Sequence, residues 1–106
     1  MIYELREYVA HENTADRLHA RFADHTLSLF AEHGLEPVGF WTDREDPTRI
    51  IYLLRFEDAT AQRRAWAAFQ ADPRWQRAKE ASERDGPIVA GMSSRTLEPV
   101  PYWGVP

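Results

Sequence analysis

One histidine lies where a helix would bury it. Leu18, Phe22, His25 and Leu29 recur at spacings of four, three and four residues, which is one face of a helix. A buried imidazole needs a hydrogen-bond partner, because an unpaired buried polar group costs about 1–3 kcal/mol. His25 is therefore either a bonded core residue or a general acid/base in a pocket between helix and sheet. We take it as the leading catalytic candidate.

Charged side chains on the predicted strands form a second set of candidates. Arg55 and Arg95 could hold a substrate carboxylate or stabilise an enolate. We assign Arg55 to catalysis, and Arg95 and Tyr8 to substrate binding. The alternative is that these residues, together with Glu4 and Arg6, form ion pairs across the sheet or across a dimer interface.

Aromatic side chains could line a pocket for a planar substrate, with core or interface packing as the alternative. The candidates are Phe40, Trp41, Trp66 and Trp75. Because successive strand residues point to opposite faces, at most one of Phe40 and Trp41 can share a cavity with His25.

Several other chemistries are disfavoured. The chain has no cysteine, which removes disulfides, thiolate metal ligands and cysteine nucleophiles. The four histidines contain no i,i+4 pair, and neither a glycine-rich phosphate loop nor a Gly-x-Ser-x-Gly motif is present. We predict no metal and no resident cofactor.

Size and composition are those of an ordinary globular protein. The 106 residues are 43% hydrophobic and 28% charged, and the net charge of −4 disfavours non-specific nucleic-acid binding. No segment approaches the roughly 20 apolar residues that span a bilayer, and Met1 leads into an alternating strand rather than a signal peptide. We expect one cytoplasmic domain over residues 1–106, with a proline-rich extended tail from about residue 99 that includes Pro106.

The predicted elements follow the order β-α-β-β-α-β. Strands are predicted over 2–9, 38–42, 49–56 and 91–97, a first helix over 13–33, and a second helical region that begins after Asp58, restarts at Asp72-Pro73 and ends at Gly86-Pro87. This is the order of the ferredoxin-like α+β fold, a four-stranded antiparallel sheet with both helices on one face. Since residues 49–56 are apolar on both faces, a second copy of the chain should cover the other face.

Five segments, spread along nearly the whole chain, form a recognisable set. They are Tyr3-Glu4-Leu5-Arg6-x-Tyr8, the helix around His25 ending in Phe30-x-x-His33-Gly34, Val38-Gly39-Phe40-Trp41-Thr42, Ala71-Asp72-Pro73-x-Trp75 and Ser94-Arg95-x-Leu97-x-Pro99. In their order and spacing these segments resemble the NIPSNAP family. The first turn, His11-Glu12-Asn13, departs from the commoner Pro-Gly-containing turn. The resemblance implies the dimeric α/β-barrel superfamily, in which two ferredoxin-like sheets pack face to face as a homodimer.

The resemblance also sets the functional hypotheses. Related branches include cofactor-independent monooxygenases, small-ring isomerases and cyclases, and haem-binding enzymes, while the NIPSNAP branch offers no catalytic motif to transfer. The first hypothesis is a cofactor-independent enzyme that acts on a small hydrophobic or aromatic metabolite, with His25 moving a proton. The alternatives are a non-catalytic ligand-binding or protein-interaction dimer, and a haem protein with His25 as axial ligand.

Overall fold

The computed structural model describes residues 1–104, and its strands form one antiparallel sheet. The strands are β1 (Ile2–Ala10), β2 (Glu36–Thr42), β3 (Arg49–Phe56) and β4 (Val89–Leu97), in the order β2-β3-β1-β4. The predicted ferredoxin-like α+β arrangement is confirmed. The bounds of β3 are as predicted, whereas β2 and β4 each begin two residues earlier than expected.

The helices follow the predicted order with one irregularity. The first helical stretch consists of α1 (Ala15–Arg21), a π-helical turn (Phe22–Thr26) and α2 (Leu27–His33); the later helices are α3 (Ala59–Ala71) and α4 (Pro73–Ser82). Gly34 ends α2 with a φ of +82°, a left-handed conformation that glycine adopts without steric cost. Side-chain oxygens of Asp58 and Asp72 accept hydrogen bonds of 2.8 Å at the starts of α3 and α4, as capping residues do.

The end of α4 differs from the prediction. The helix ends at Ser82 rather than at Gly86-Pro87, because the following residues form turns. The amide of Gly86 donates to the carbonyl of Glu83 at 2.9 Å, and Gly86 has a φ of +119°. The residues from Glu83 to Asp85, which we expected to be helical, thus form turns after the end of α4.

The helices cover one face of the sheet. Along β3 the side chains of Ile50, Tyr52, Leu54 and Phe56 are buried beneath them, and those between are half-buried on the other face. Tyr52 is fully buried and stacks on Phe40, with ring centroids 4.5 Å apart and an interplanar angle of 12°. The core of the molecule therefore lies between this face and the helices.

The opposite face carries apolar side chains that are partly open to solvent in the single chain. Leu5 is 36% and Trp41 54% exposed, and Ile51 and Leu53 are half-buried. Within one chain, the helices cover one face of β3, as predicted. That a second copy of the chain covers the other face stays a prediction. Within residues 1–104, no helix has the length and apolar character needed to cross a membrane.

The C-terminal tail contains a turn where we expected extended chain. The amide of Trp103 donates to the carbonyl of Val100 at 3.1 Å, and both Tyr102 and Trp103 are exposed. Pro106, which we expected to extend the tail further, lies outside the described residues.

Candidate functional site

The polar side of β1 faces the helices. Glu4 and Arg6 lie opposite the buried Leu54 and Tyr52 of β3, and Tyr8 follows on the same side. Glu4 is 4% exposed, and the Arg6 side chain beside it is nearly as deeply buried. Buried charges are stable only when they are paired and hydrogen-bonded. The polar side of this strand must therefore be satisfied inside the protein.

The Glu4 carboxylate satisfies that requirement by accepting four hydrogen bonds. One oxygen accepts from Arg6 Nη1 at 2.9 Å and Ser94 Oγ at 2.6 Å, and the other from Trp66 Nε1 at 2.8 Å and Gln62 Nε2 at 2.9 Å. Burial by itself would raise the pKa of Glu4, but the donors from Ser94, Gln62, Trp66 and Arg6 outweigh it, so the pKa is lowered. Glu4 stays ionised and joins β1 to α3 and β4.

The Arg6 guanidinium is engaged through all three nitrogens. In addition to the bond to Glu4, Nε donates to the Tyr52 hydroxyl at 2.8 Å and Nη2 to the Tyr8 hydroxyl at 3.0 Å. Its central carbon lies 4.3 Å from the centroid of the Trp66 ring, a cation–π contact. Burial lowers the pKa of Arg6, yet Tyr52, Tyr8 and Glu4 together raise it. Arg6 is a fully paired cation.

A cavity of about 270 Å³ borders this network on the helix side of the sheet. Its aromatic walls are Tyr8, Trp66, Phe69 and Trp75. Its charged lining consists of Arg6, Arg21, Lys79 and Glu83, and because Glu4 pairs with Arg6, one net positive charge remains beside the cavity. The cavity thus combines flat apolar walls with a positive lining, which suits a planar molecule that carries a negative charge.

Arg21, at the end of α1, is the second buried guanidinium of this lining. Its side chain is 4% exposed, and its central carbon lies 5.3 Å from the centroid of the Trp75 ring. Nη1 donates to Ser82 Oγ at 3.2 Å and lies 4.0 Å from a carboxylate oxygen of Glu83. Burial lowers the pKa of Arg21, with Glu83 acting against it, but a guanidinium keeps its proton at neutral pH. Arg21 is therefore a buried cation with weaker partners than Arg6.

Two of the predicted substrate-binding residues, Tyr8 and Trp66, come together in this cavity, and Trp75 joins them. Phe40 and Trp41 point to opposite faces of the sheet, as predicted. Phe40 faces the helices, but its ring packs into the core between Tyr52 and Phe22 and does not line the cavity.

The prediction that His25 is buried on the apolar face is wrong. In the π-helical turn the hydrogen bonds run from i to i+5, so the chain carries an extra residue past the expected position. Thr26 takes the buried place at 2% exposure, where its hydroxyl donates to the carbonyl of Arg21 at 3.2 Å, and His25 is exposed. His25 lines a surface groove with Arg17 and Asp85 that shares Arg21 with the cavity, but His25 itself does not line the cavity. The haem alternative relied on His25 as a buried axial ligand, and the exposure of His25 therefore disfavours it.

The remaining candidates lie on the sheet face away from the helices. Arg55 forms an ion pair with Glu36, with Nη2 and Oε1 2.5 Å apart, as the ion-pair interpretation predicts. Arg95 is exposed beside Leu5 in a pocket of about 230 Å³ on that face, and Trp41 lies on the same face. These three residues do not line the helix-side cavity.

Arg21 and Glu83 are cavity residues that the sequence did not indicate. Arg21 directly precedes the apolar Phe22, and Glu83 was expected within a helix. Nothing in the sequence distinguished either residue from the solvent-exposed charges expected around it. The alternation of Glu4, Arg6 and Tyr8 was a usable signal, because three polar side chains on one side of a strand must share an environment. Over residues 1–104, no group of three or more His, Cys, Asp or Glu side chains is arranged to hold a metal ion.

Comparison with known proteins agrees with this fold. A NIPSNAP-like domain protein from Burkholderia xenovorans is 21% identical with a TM-score of 0.84, over 98% of this chain and 89% of that one. A NIPSNAP family protein from Agrobacterium tumefaciens is 14% identical with a TM-score of 0.86, over 99% and 98%. A putative antibiotic biosynthesis monooxygenase from Nitrosomonas europaea is 11% identical with a TM-score of 0.68, over 94% and 99%.

At these identities the solved structures show a shared fold alone. A search of curated proteins gave no match. The family model for NIPSNAP, in contrast, matches residues 3–103, which is nearly the whole chain. The protein therefore belongs to the NIPSNAP family.

Proposed function

We propose that this protein binds a small planar aromatic metabolite with an anionic group, and transforms it without a resident cofactor, in the cavity between sheet and helices. The proposal is carried by one observation: two buried guanidinium groups, Arg6 and Arg21, each lie over an indole ring at an aromatic-lined cavity. The cavity volume of about 270 Å³ is just below the ~300–1,000 Å³ typical of sites for drug-sized ligands. A ligand of one or two rings fits that size.

The chemistry of the lining favours the anionic form of such a ligand. A guanidinium in a desolvated site binds a carboxylate strongly, and it stabilises an enolate or phenolate that forms when the ligand loses a proton to solvent water. An isomerase, or an oxygenase that uses O2 as co-substrate without a cofactor, needs this stabilisation from its pocket. The shared fold of the putative monooxygenase from Nitrosomonas europaea supports this reaction class by analogy alone.

The proposal keeps Tyr8 and Trp66 as ligand-binding residues and assigns no role to His25 or Arg55. His25 is exposed in the neighbouring groove, on the other side of Arg21, and does not line the cavity, and Arg55 is paired with Glu36 on the far side of the sheet. A group that does not reach the cavity cannot transfer a proton to a ligand inside it.

Calorimetric titration with 2-naphthoate and its neutral analogue 2-naphthamide tests the binding step. We expect the anion to bind at least about tenfold more tightly, which corresponds to roughly 1.4 kcal/mol. Trp66→Ala removes a wall of the cavity and should weaken both compounds. Trp103→Ala, an exposed tryptophan in the tail, is the matched control and should change neither. If neither compound binds the unaltered protein, the proposal fails.

A second titration tests the stabilisation of a developing anion. The absorbance of 4-nitrophenol reports its ionisation, and the guanidinium-lined cavity should lower the pKa of the bound phenol. We expect the bound phenolate fraction at neutral pH to exceed the free fraction. An equal or smaller bound phenolate fraction would mean that the cavity binds the phenol but does not favour its ionised form.

We also propose that a second copy of the chain covers the open sheet face. Leu5, Trp41, Ile51 and Leu53 give that face an apolar centre. Paired charges such as Arg55 with Glu36 lie towards the edge of the sheet. An apolar centre with a polar rim is typical of a subunit interface.

A further inference from the structure

We infer that Arg21 is the anion anchor of the cavity and that Glu83 occupies its place until a ligand carboxylate displaces it. The inference rests on the proposed function and names the side chain that receives the charged group of the ligand. It also defines the ligand class as an aromatic carboxylate, since a carboxylate matches one guanidinium through two parallel hydrogen bonds.

The two guanidinium groups differ in how many of their nitrogens already donate hydrogen bonds. Arg6 donates through Nε, Nη1 and Nη2, and its charge is paired with Glu4 at 2.9 Å. The bonds described for Arg21 involve Nη1 alone, with Ser82 Oγ at 3.2 Å. A ligand carboxylate would have to break an existing network to reach Arg6, whereas Nε and Nη2 of Arg21 remain for a bidentate contact.

Glu83 is a loosely held partner of Arg21. The 4.0 Å between its carboxylate oxygen and Arg21 Nη1 is beyond hydrogen-bond distance, so the contact is electrostatic and weak. Its backbone is fixed, because its amide donates to the carbonyls of Lys79 and Glu80 at 3.1 and 3.2 Å. The side chain, 29% exposed, can therefore rotate towards solvent while the chain around it stays in place.

The position of Arg21 also fits a ring beside it. Its guanidinium lies over Trp75, whose ring centroid is 4.7 Å from that of Phe69, and both rings line the cavity. A carboxylate bound to Arg21 would direct an attached aromatic ring along these walls towards Trp66. The exchange of one weak carboxylate contact for a bidentate one then selects acids over neutral ligands of the same shape.

Glu83→Gln is the decisive variant, since it keeps the size of the side chain and removes the competing charge. We expect the affinity for 2-naphthoate to rise by roughly two- to fivefold, the effect of one partly exposed charge pair, with 2-naphthamide unchanged. Glu80→Gln makes the same substitution on the outside of α4 and is the matched control, expected to alter neither affinity. Arg21→Gln should cost at least about tenfold for 2-naphthoate and leave 2-naphthamide within twofold.

The outcomes separate this inference from the proposed function. If Glu83→Gln leaves the 2-naphthoate affinity unchanged, Glu83 does not occupy the place of the ligand, and if Arg21→Gln retains the preference for the anion, the anchor is not Arg21. The cavity would still be a binding site in either case. If neither compound binds the unaltered protein, the proposed function itself fails. Should Arg21→Gln not fold by circular dichroism, Arg21→Lys replaces it, since it keeps the charge, loses the bidentate contact and should still weaken 2-naphthoate more than 2-naphthamide.

Discussion

The guanidinium of Arg6 lies 4.3 Å from the ring centroid of Trp66, and both side chains donate hydrogen bonds to the carboxylate of Glu4. The three residues connect β1 to α3 through charge and hydrogen bonding in a place where apolar contact would be usual. A buried carboxylate is costly unless every lone pair is used, so the geometry of the whole group depends on Glu4. Arg6 is thereby held against one wall of the cavity.

Replacement of Glu4 by glutamine tests that dependence. The change keeps the shape but removes the charge that pairs the buried Arg6, so we expect the free energy of unfolding to fall by about 3–5 kcal/mol. Ser94→Ala removes one of the four hydrogen bonds and should cost only about 1 kcal/mol. Urea denaturation of the two variants measures the difference, and equal losses would mean that the charge of Glu4 contributes nothing beyond one bond.

The lowered pKa of Glu4 predicts an acid-sensitive stability. A glutamate in the unfolded chain titrates near pH 4.3, and the folded-state pKa is lower, so the ionised form is favoured by folding. The resulting stability is fully present above about pH 4.3 and is lost as the pH falls through the folded value. The unfolding free energy of the unaltered protein should therefore decline more steeply below about pH 5 than that of Glu4→Gln. Parallel pH curves would contradict this assignment.

His33 and Asp72 connect two helical regions, and they contrast with His25. Nε2 of His33 lies 2.8 Å from Oδ2 of the buried Asp72, which also caps α4, whereas His25 is exposed. We expect His25→Ala to change the free energy of unfolding by less than about 0.5 kcal/mol and to leave 2-naphthoate binding unaltered. His33→Ala should lower the melting temperature further than His25→Ala does. A loss of ligand binding in His25→Ala would restore that residue as a site candidate.

The parts of the fold that could be predicted from the sequence are those that local sequence signals determine. The bounds of β3 and the starts of α3 and α4 follow from alternation and from Asp58 and Asp72, whose capping needs no distant partner. The position of His25 did not follow, because the helical pattern assumes a constant 3.6-residue period. A π-helical turn breaks that period, and no residue type between 22 and 26 marks it.

The orientation of β1 was beyond local reasoning for a different reason. Its more apolar side, with Tyr3, Leu5 and Val9, faces away from the helices, while the side with Glu4 and Arg6 faces the core. The usual rule that apolar residues point inwards would reverse this strand. The observed orientation is stable because Trp66, Gln62 and Ser94 come from distant positions to satisfy Glu4.

The reversed orientation of β1 leads to the prediction of a dimer. A strand that turns its apolar side to an open face leaves Leu5 36% exposed in the single chain, and a second copy of the same face is the simplest cover. Sedimentation at micromolar concentration should give about twice the chain mass of 12.3 kDa.

Leu5→Glu should shift the protein to the monomer mass, because it places a charge at the centre of the proposed interface. Leu27, on α2, is 38% exposed and so provides a matched control for Leu5. Leu27→Glu should sediment as the unaltered protein does, since a charge at this helical position does not touch the sheet face. A monomeric unaltered protein would contradict the dimer outright. Dissociation by Leu27→Glu but not by Leu5→Glu would place the interface on the helices, and the apolar side of β1 would then lack a partner.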